Sequence, residues 1–302
     1  RNLKPADETS YTRGGYLKSI SYGLRSDALY GAAPARAVFD VAERCVPDAS
    51  FDCDPAQIGS HPQYWWDVPW DLNCNDGQEC KDDHGTVAPT FWSRKRLSGV
   101  TTQVIKPDGS GYRDVDSWEL KHKWGLADVE RDFLLEEIEH TGHAGDQPVT
   151  LPAVRFNHVQ RPNRLDRSGD DILAYIRYRL GAIYDETGGQ IDIAYSDPVC
   201  TRDNLPTPET NTQRCFPVIW QPPGREDPIT DWFHKYVVTS VIKTDRTGLS
   251  PAMATKYEYL GGAAWHFDDD DGLTKEKEKT WSQWRGYGQV RTLTGDFNNP
   301  SA

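Results

Sequence analysis

The stretch GAIYDETGGQIDIAYS, Gly181 to Ser196, sets Asp185, Gly188 and Gly189 between two runs of aromatic and β-branched residues. Alternation of period two on both sides of turn residues predicts strand, tight turn, strand. An Asp side chain caps such a turn, and a Gly accepts the positive φ it needs. Two other segments echo it: QVIKPDGSGYRDVDSWELKH from Gln103, and SVIKTDRTGLSPAMATKYEYLGG from Ser240. Each joins a β-branched pair, an Asp, a turn Gly and an alternating strand with Tyr or Trp. Their spacing is irregular, so spacing alone leaves both a true repeat and independent hairpins open.

The rest of the chain reads the same way. YLKSISYGL and ARAVFDVAERC predict a strand pair within residues 11–44, and strand–turn–strand resumes from Phe91 to Trp124. Hydrophobic residues are 37% of the 302, below the usual ~45–50%, while 20 Pro and 25 Gly supply many turns. The expected fold class is all-β: consecutive antiparallel hairpins forming a large sheet, a sandwich or part of a β shell, with little helix. LADVERDFLLEEIEH at 126–140 is ambiguous and the one candidate helix: Leu126, Val129, Phe133, Leu134 and Ile138 fall at helical spacing, but the segment is short and strands surround it. The Pro/Gly/Asp-rich stretch from Gly142 is the candidate boundary between a Cys/Trp-rich region, 1–150, and a second hairpin region, 151–302, which one continuous domain would also accommodate.

Six Cys fall as close pairs, Cys45 with Cys53, Cys74 with Cys80, and Cys200 with Cys215. None forms CxxC, and even numbers in local pairs suggest disulfides and an oxidising compartment. Six Cys allow 15 connectivities, so neighbour pairing is an expectation. The net charge of −12 would repel a phosphate backbone, which argues against nucleic-acid partners. No apolar run approaches the ~18 residues of a membrane span. The chain begins at Arg1 and its only Met is Met253, so a processed or excised piece of a secreted or cell-surface protein is expected.

The second half carries a resemblance. IYDETGGQIDIAYS resembles the Rhs/YD-repeat pattern, in which a Tyr-Asp step and a turn Gly recur along strand–turn–strand units. TKYEYLGG with WSQWRGYGQVRT is similar to the element found where Rhs and toxin-complex B-type shells enter their repeats. The matching residues are Tyr257, Tyr259, Gly261, Gly262, Arg285, Gly286, Gly288 and Val290. LPAVRFNHVQRPNRLD, CFPVIWQPPG and DWFHKYVVTSV look like the region preceding the repeats in large secreted actinobacterial Rhs proteins. The resemblance implies a segment of a hollow β shell that encloses a toxin. Its partners would be the remainder of its own polypeptide or another toxin-complex subunit. The chain lacks a regular YD array, the self-cleavage core motif and a toxin domain, so it would lead into a shell or form part of its wall.

Candidate chemistry is sparse. In WHFDDDDGLTKEKE, Asp268, Asp269, Asp270, Asp271 and Glu278 suggest calcium; on the EF-hand pattern, however, Phe267 takes the first ligand position. A solvated acidic turn is the plainer reading, and no other cofactor is implied. His140 and His143 would share a face only on a helix. Trp65, Trp66 and Trp70 beside Asp67 suggest a stacking platform for a cell-surface glycan, or a small core under a stapled loop. GxSxG, P-loop and Rossmann glycine patterns are missing, and 46 acidic residues leave too many pairs to single out a glycosidase pair. The expected function is a structural shell segment without catalysis. A carbohydrate-binding module is the alternative, and a secreted glycosidase-like enzyme the third reading.

Overall fold

The computed structural model describes residues 11–73, 90–128, 130–167, 169–272 and 274–296. Strands hold 48% of the chain, and helix is confined to short turns among the described residues. The fold is all-β, built from consecutive antiparallel hairpins. The chain divides into two compact units: Arg1–Trp124 with Phe133–Ala153, and Gly125–Asp132 with Val154–Ala302.

The first unit is built on β1 (Ser19–Tyr22), β2 (Ala35–Glu43), β3 (Lys95–Ile105), β4 (Tyr112–Leu126), β5 (Arg131–Gly142) and β6 (Val149–Thr150). They pair in chain order from β1 to β5, with β6 on β5. Between β2 and β3, three-residue 3-10 turns replace strand at Pro55–Gln57, Pro62–Tyr64 and Trp70–Leu72. Two of them start at a Pro, whose fixed φ suits a first helical position. A disulfide joins Cys45 to Cys53 at the head of this segment. Cys74 and Cys80 lie outside the described residues.

The second unit holds β7 (Val154–Pro162), β8 (Ile176–Tyr184), β9 (Gly189–Tyr195), β10 (Cys215–Trp220), β11 (Ile229–His234), β12 (Val238–Asp245), β13 (Met253–His266) and β14 (Gln283–Asp296). Its main sheet runs β7-β8-β9-β12-β13-β14, and β10 pairs with β11 alone. The second described disulfide, Cys200–Cys215, anchors the start of β10. The tip of the β4–β5 hairpin belongs to this unit. The Ile176 amide donates to Asp128 Oδ1 at 2.7 Å, and the Tyr178 amide to Asp132 Oδ2 at 3.1 Å.

The candidate helix at 126–140 does not form; β4 ends at Leu126 and β5 runs from Arg131, while Val129 is outside the described residues. Charge complementarity across the strands overrides helical spacing. Lys123 meets Glu136 at 3.0 Å, and Lys121 meets Glu139 at 3.3 Å. The His122 and Phe133 rings also stack across these strands at 4.7 Å. The acidic run that resembles a solvated helix face is one side of a cross-strand ladder.

Most strand residues are half-buried, and β13 alternates, burying Ala254, Ala263 and Trp265. β3, β4 and β5 bury one residue apiece, Gly99, Gly125 and Leu134. β8 buries only Ala182, and β9 and β12 bury none. An antiparallel sheet packed on a core buries every second side chain of a strand. The buried clusters lie instead at the disulfides: Cys45, Phe51, Cys53, Ile58, Trp65 and Val68 in the first unit, and Leu165, Cys200, Cys215 and Trp232 in the second.

Candidate functional site

The hairpins β8–β9 and β12–β13 share one construction. At the first tip, the Thr187 amide, the Thr187 hydroxyl and the Gly189 amide each donate to Asp185 Oδ1 at 2.8 Å. At the second, the Thr247 amide and hydroxyl donate to Asp245 Oδ1 at 2.7 and 2.5 Å, and the Leu249 amide reaches Oδ2 at 3.1 Å. The threonine hydroxyls, followed by these amides, hold both carboxyls below the usual carboxylate range. The tip between β3 and β4 is a simpler version, in which the Ser110 amide donates to Asp108 Oδ1 at 2.9 Å.

The bases of the two hairpins match as well. Tyr195 on β9 donates its hydroxyl to the Leu180 carbonyl on β8 at 2.9 Å, and Tyr259 on β13 donates to the Val238 carbonyl on β12 at 2.6 Å. Burial pushes both phenols up, so both remain protonated donors near neutral pH. An aspartate at the tip and a tyrosine at the base thus recur on consecutive hairpins of one sheet. The Tyr257–Val290 motif closes the series. Tyr259 lies opposite Val290, and Tyr257 opposite Thr292, across β13 and β14. A bulge at Gly261–Gly262 interrupts that register. A Cβ on Gly262 would come within 2.6 Å of Thr212 Cβ, so glycine is required where the 211–213 loop crosses. β14 is fourteen residues long, and among the described residues it pairs only with β13.

The chain matches no known protein-family model and no curated protein.

The other candidates do not assemble into sites. Trp65 is 1% exposed, with its Nε1 donating to Glu43 Oε2 at 3.2 Å. Trp70 packs edge-on against Trp92 at 6.0 Å. Only Trp66, 48% exposed, faces solvent, and Asp67 is bound by Arg44 at 2.6 Å. Of the two readings of this cluster, the core of the stapled loop is the one that forms, because a short segment with one disulfide has little else to bury.

In the acidic loop, Asp268 accepts from Gln283 at 2.7 Å and Asp271 from the Thr274 hydroxyl at 2.5 Å. Asp269 faces His266, Asp270 faces Arg285, and Glu278 faces Lys275. The expected calcium ligands are dispersed, and no group of three metal-ligating side chains converges among the described residues. His140 and His143 lie on or beside β5, not on a helix. His140 Nε2 bonds Asp116 at 2.9 Å while its ring stacks on Trp118, and His143 Nε2 meets the Ser117 hydroxyl at 2.8 Å.

Sequence reasoning missed the buried charge cluster of the second unit. Arg164 and Asp231 are each 1% exposed and paired to one another. Arg164 also binds Asp170, Asp166 and the Ile172 carbonyl, and Arg202 reaches the other oxygen of Asp231. The Trp232 amide donates to Asp231 at 2.8 Å. The only signal was the mix of three Arg and three Asp in RPNRLDRSGDD, and the partner of Arg164, Asp231, lies 67 residues away.

Proposed function

We propose that this chain is a wall segment of a larger Rhs/YD-type β shell of a secreted or cell-surface protein, with no catalysis of its own. The observation that carries the reading is the repeated hairpin with an aspartate tip and a tyrosine base. It recurs in a sheet whose strands β8, β9 and β12 are half-buried with almost no fully buried side chain, and which ends on the long strand β14. A packed domain closes its sheet against another layer. A wall only has to continue sideways, and an edge strand offers a row of free amides and carbonyls for that purpose. The two disulfides accord with an oxidising location. No described helix is long and apolar enough to cross a membrane.

The partner in this reading is the next hairpin of the same polypeptide, or another subunit of a toxin complex, paired along β14. The test compares this chain with a longer product of its own gene that includes the residues after Ala302. Amide exchange of β14 groups that do not bond β13 is expected to slow at least about tenfold in the longer chain. Unchanged exchange at those amides, or a gene without further hairpin repeats, overturns the reading.

A further inference from the structure

One cleft of the first unit departs from the acidic character of the chain. It lies between residues 13–18 and the segment 92–95, with a volume of about 460 Å³. Arg13, Lys18, Arg94 and Lys95 line it, together with Tyr16 and Trp92, and among the described residues no acidic one does. In a chain of net charge −12, four cations with no acid among the described lining residues form a local reversal of sign.

The cations are only partly neutralised. Arg94 and Lys95 share a single buried carboxylate, Glu43. Arg13 stacks on Trp92 at 3.7 Å and donates to Asn73 Oδ1 at 2.9 Å, with no carboxylate partner among the described residues. Burial lowers the Arg13 pKa; Tyr11 opposes the shift and Arg94 adds to it. Lys18 is exposed and also lacks a carboxylate partner among the described residues.

The walls are held in place. The Tyr11 hydroxyl and the Thr90 backbone are joined at 3.2–3.3 Å, and the Phe39 amide donates to the Lys18 carbonyl at 2.9 Å. A second cleft of about 300 Å³ shares Tyr16 and Lys95 with the first and continues past Phe39. Tyr16 is 50% exposed, which leaves an aromatic face open between the two clefts. Cations for acid groups, flat rings for the apolar faces of pyranoses, and a groove long enough for adjoining residues belong to one ligand chemistry.

We propose that this cleft binds an anionic saccharide chain, with Arg13, Lys18, Arg94 and Lys95 meeting its carboxylate or sulfate groups and Tyr16 stacking on a sugar ring. The site is distinct from Trp65, Trp66 and Trp70 and stands independently of the wall reading.

The experiment is isothermal titration of the whole chain with oligogalacturonate, heparin-derived tetrasaccharide, neutral dextran oligomer and poly-glutamate. Either acidic saccharide is expected to bind, more weakly at higher salt, and dextran and poly-glutamate are expected not to. The carboxylate and sulfate arms then show which acid group is preferred. Lys18→Glu is expected to weaken binding about fivefold, since a rim attraction becomes a repulsion. Tyr16→Ala is expected to weaken it as well. Lys106→Glu, at an exposed turn elsewhere in the unit, serves as the control for net charge and is expected to bind normally. Failure of both acidic saccharides, equal binding of poly-glutamate, or equal loss in Lys18→Glu and Lys106→Glu each overturns the proposal.

Discussion

The backbone amide of Arg246 donates to the carbonyl of Gly188 at 3.0 Å, tying the tip of one hairpin to the tip of the next. Gly188 has φ +94°, which points its carbonyl toward the neighbouring turn without the cost a side chain would add. The Arg246 side chain extends the contact by donating to Gln190 Oε1 at 3.1 Å and lying over the Tyr184 ring at 5.6 Å. Two turns that each close themselves through an aspartate are thereby stacked in register.

Gly189→Ala tests the aspartate cap. A Cβ there would come within 2.1 Å of Asp185 Oδ2, so the carboxylate must leave the turn. Its pKa, held down by Thr187 and Gly189, is expected to rise toward the ordinary aspartate value. Carboxyl carbon NMR titration reads this directly, and an unmoved midpoint would show that the cap survives.

The Arg164–Asp231 pair makes a second prediction. Asp231→Asn leaves Arg164 buried with part of its charge uncompensated, and is expected to cost about 3–5 kcal/mol in urea unfolding. The joint replacement Arg164→Met with Asp231→Leu is expected to recover part of that loss.

Acid should weaken the same cluster through Asp170. Burial alone would raise this carboxyl, but the Arg164 hydrogen bond and the Ile172 amide outweigh it and bring the pKa down. A depressed folded pKa means that the stabilisation is complete above about pH 4 and disappears as pH falls through the lower folded value. Unfolding free energies measured from pH 6 to pH 2 in wild type and Asp170→Asn are expected to converge at the acid end.

The disulfides close loops of 8 and 15 residues. Loop entropy assigns about 2.5 and 3 kcal/mol to them. Replacing Cys200 and Cys215 by Ser is expected to lower the melting temperature more than replacing Cys45 and Cys53. Calorimetry of the two double variants checks the order.

Trp65→Ala is expected to cost about 3–5 kcal/mol, as an aromatic ring removed from a core does. Trp65 contributes to folding rather than recognition, and chemical denaturation of the variant measures it.

The amino-acid sequence by itself determined the local elements. Period-two alternation around Asp and Gly marked the β3–β4, β8–β9 and β12–β13 hairpins, because an Asx-type cap and a positive-φ glycine act within five residues. Close spacing marked two of the disulfides for the same reason. Where partners lie far apart, the sequence misled or was silent. Helical spacing in 126–140 yielded to Lys121 and Lys123 on the facing strand, whose pairing with Glu139 and Glu136 depends on register. For the Trp65–Trp66–Trp70 cluster the sequence left a platform and a small loop core both open, and the burial of Trp65 against Glu43 decided for the core. Arg164 and Asp231, and the cationic cleft joining Arg13 to Lys95, arise only when distant segments meet. Tertiary structure decided these features, because burial and electrostatic pairing depend on distance in space, whereas turn chemistry depends on distance along the chain.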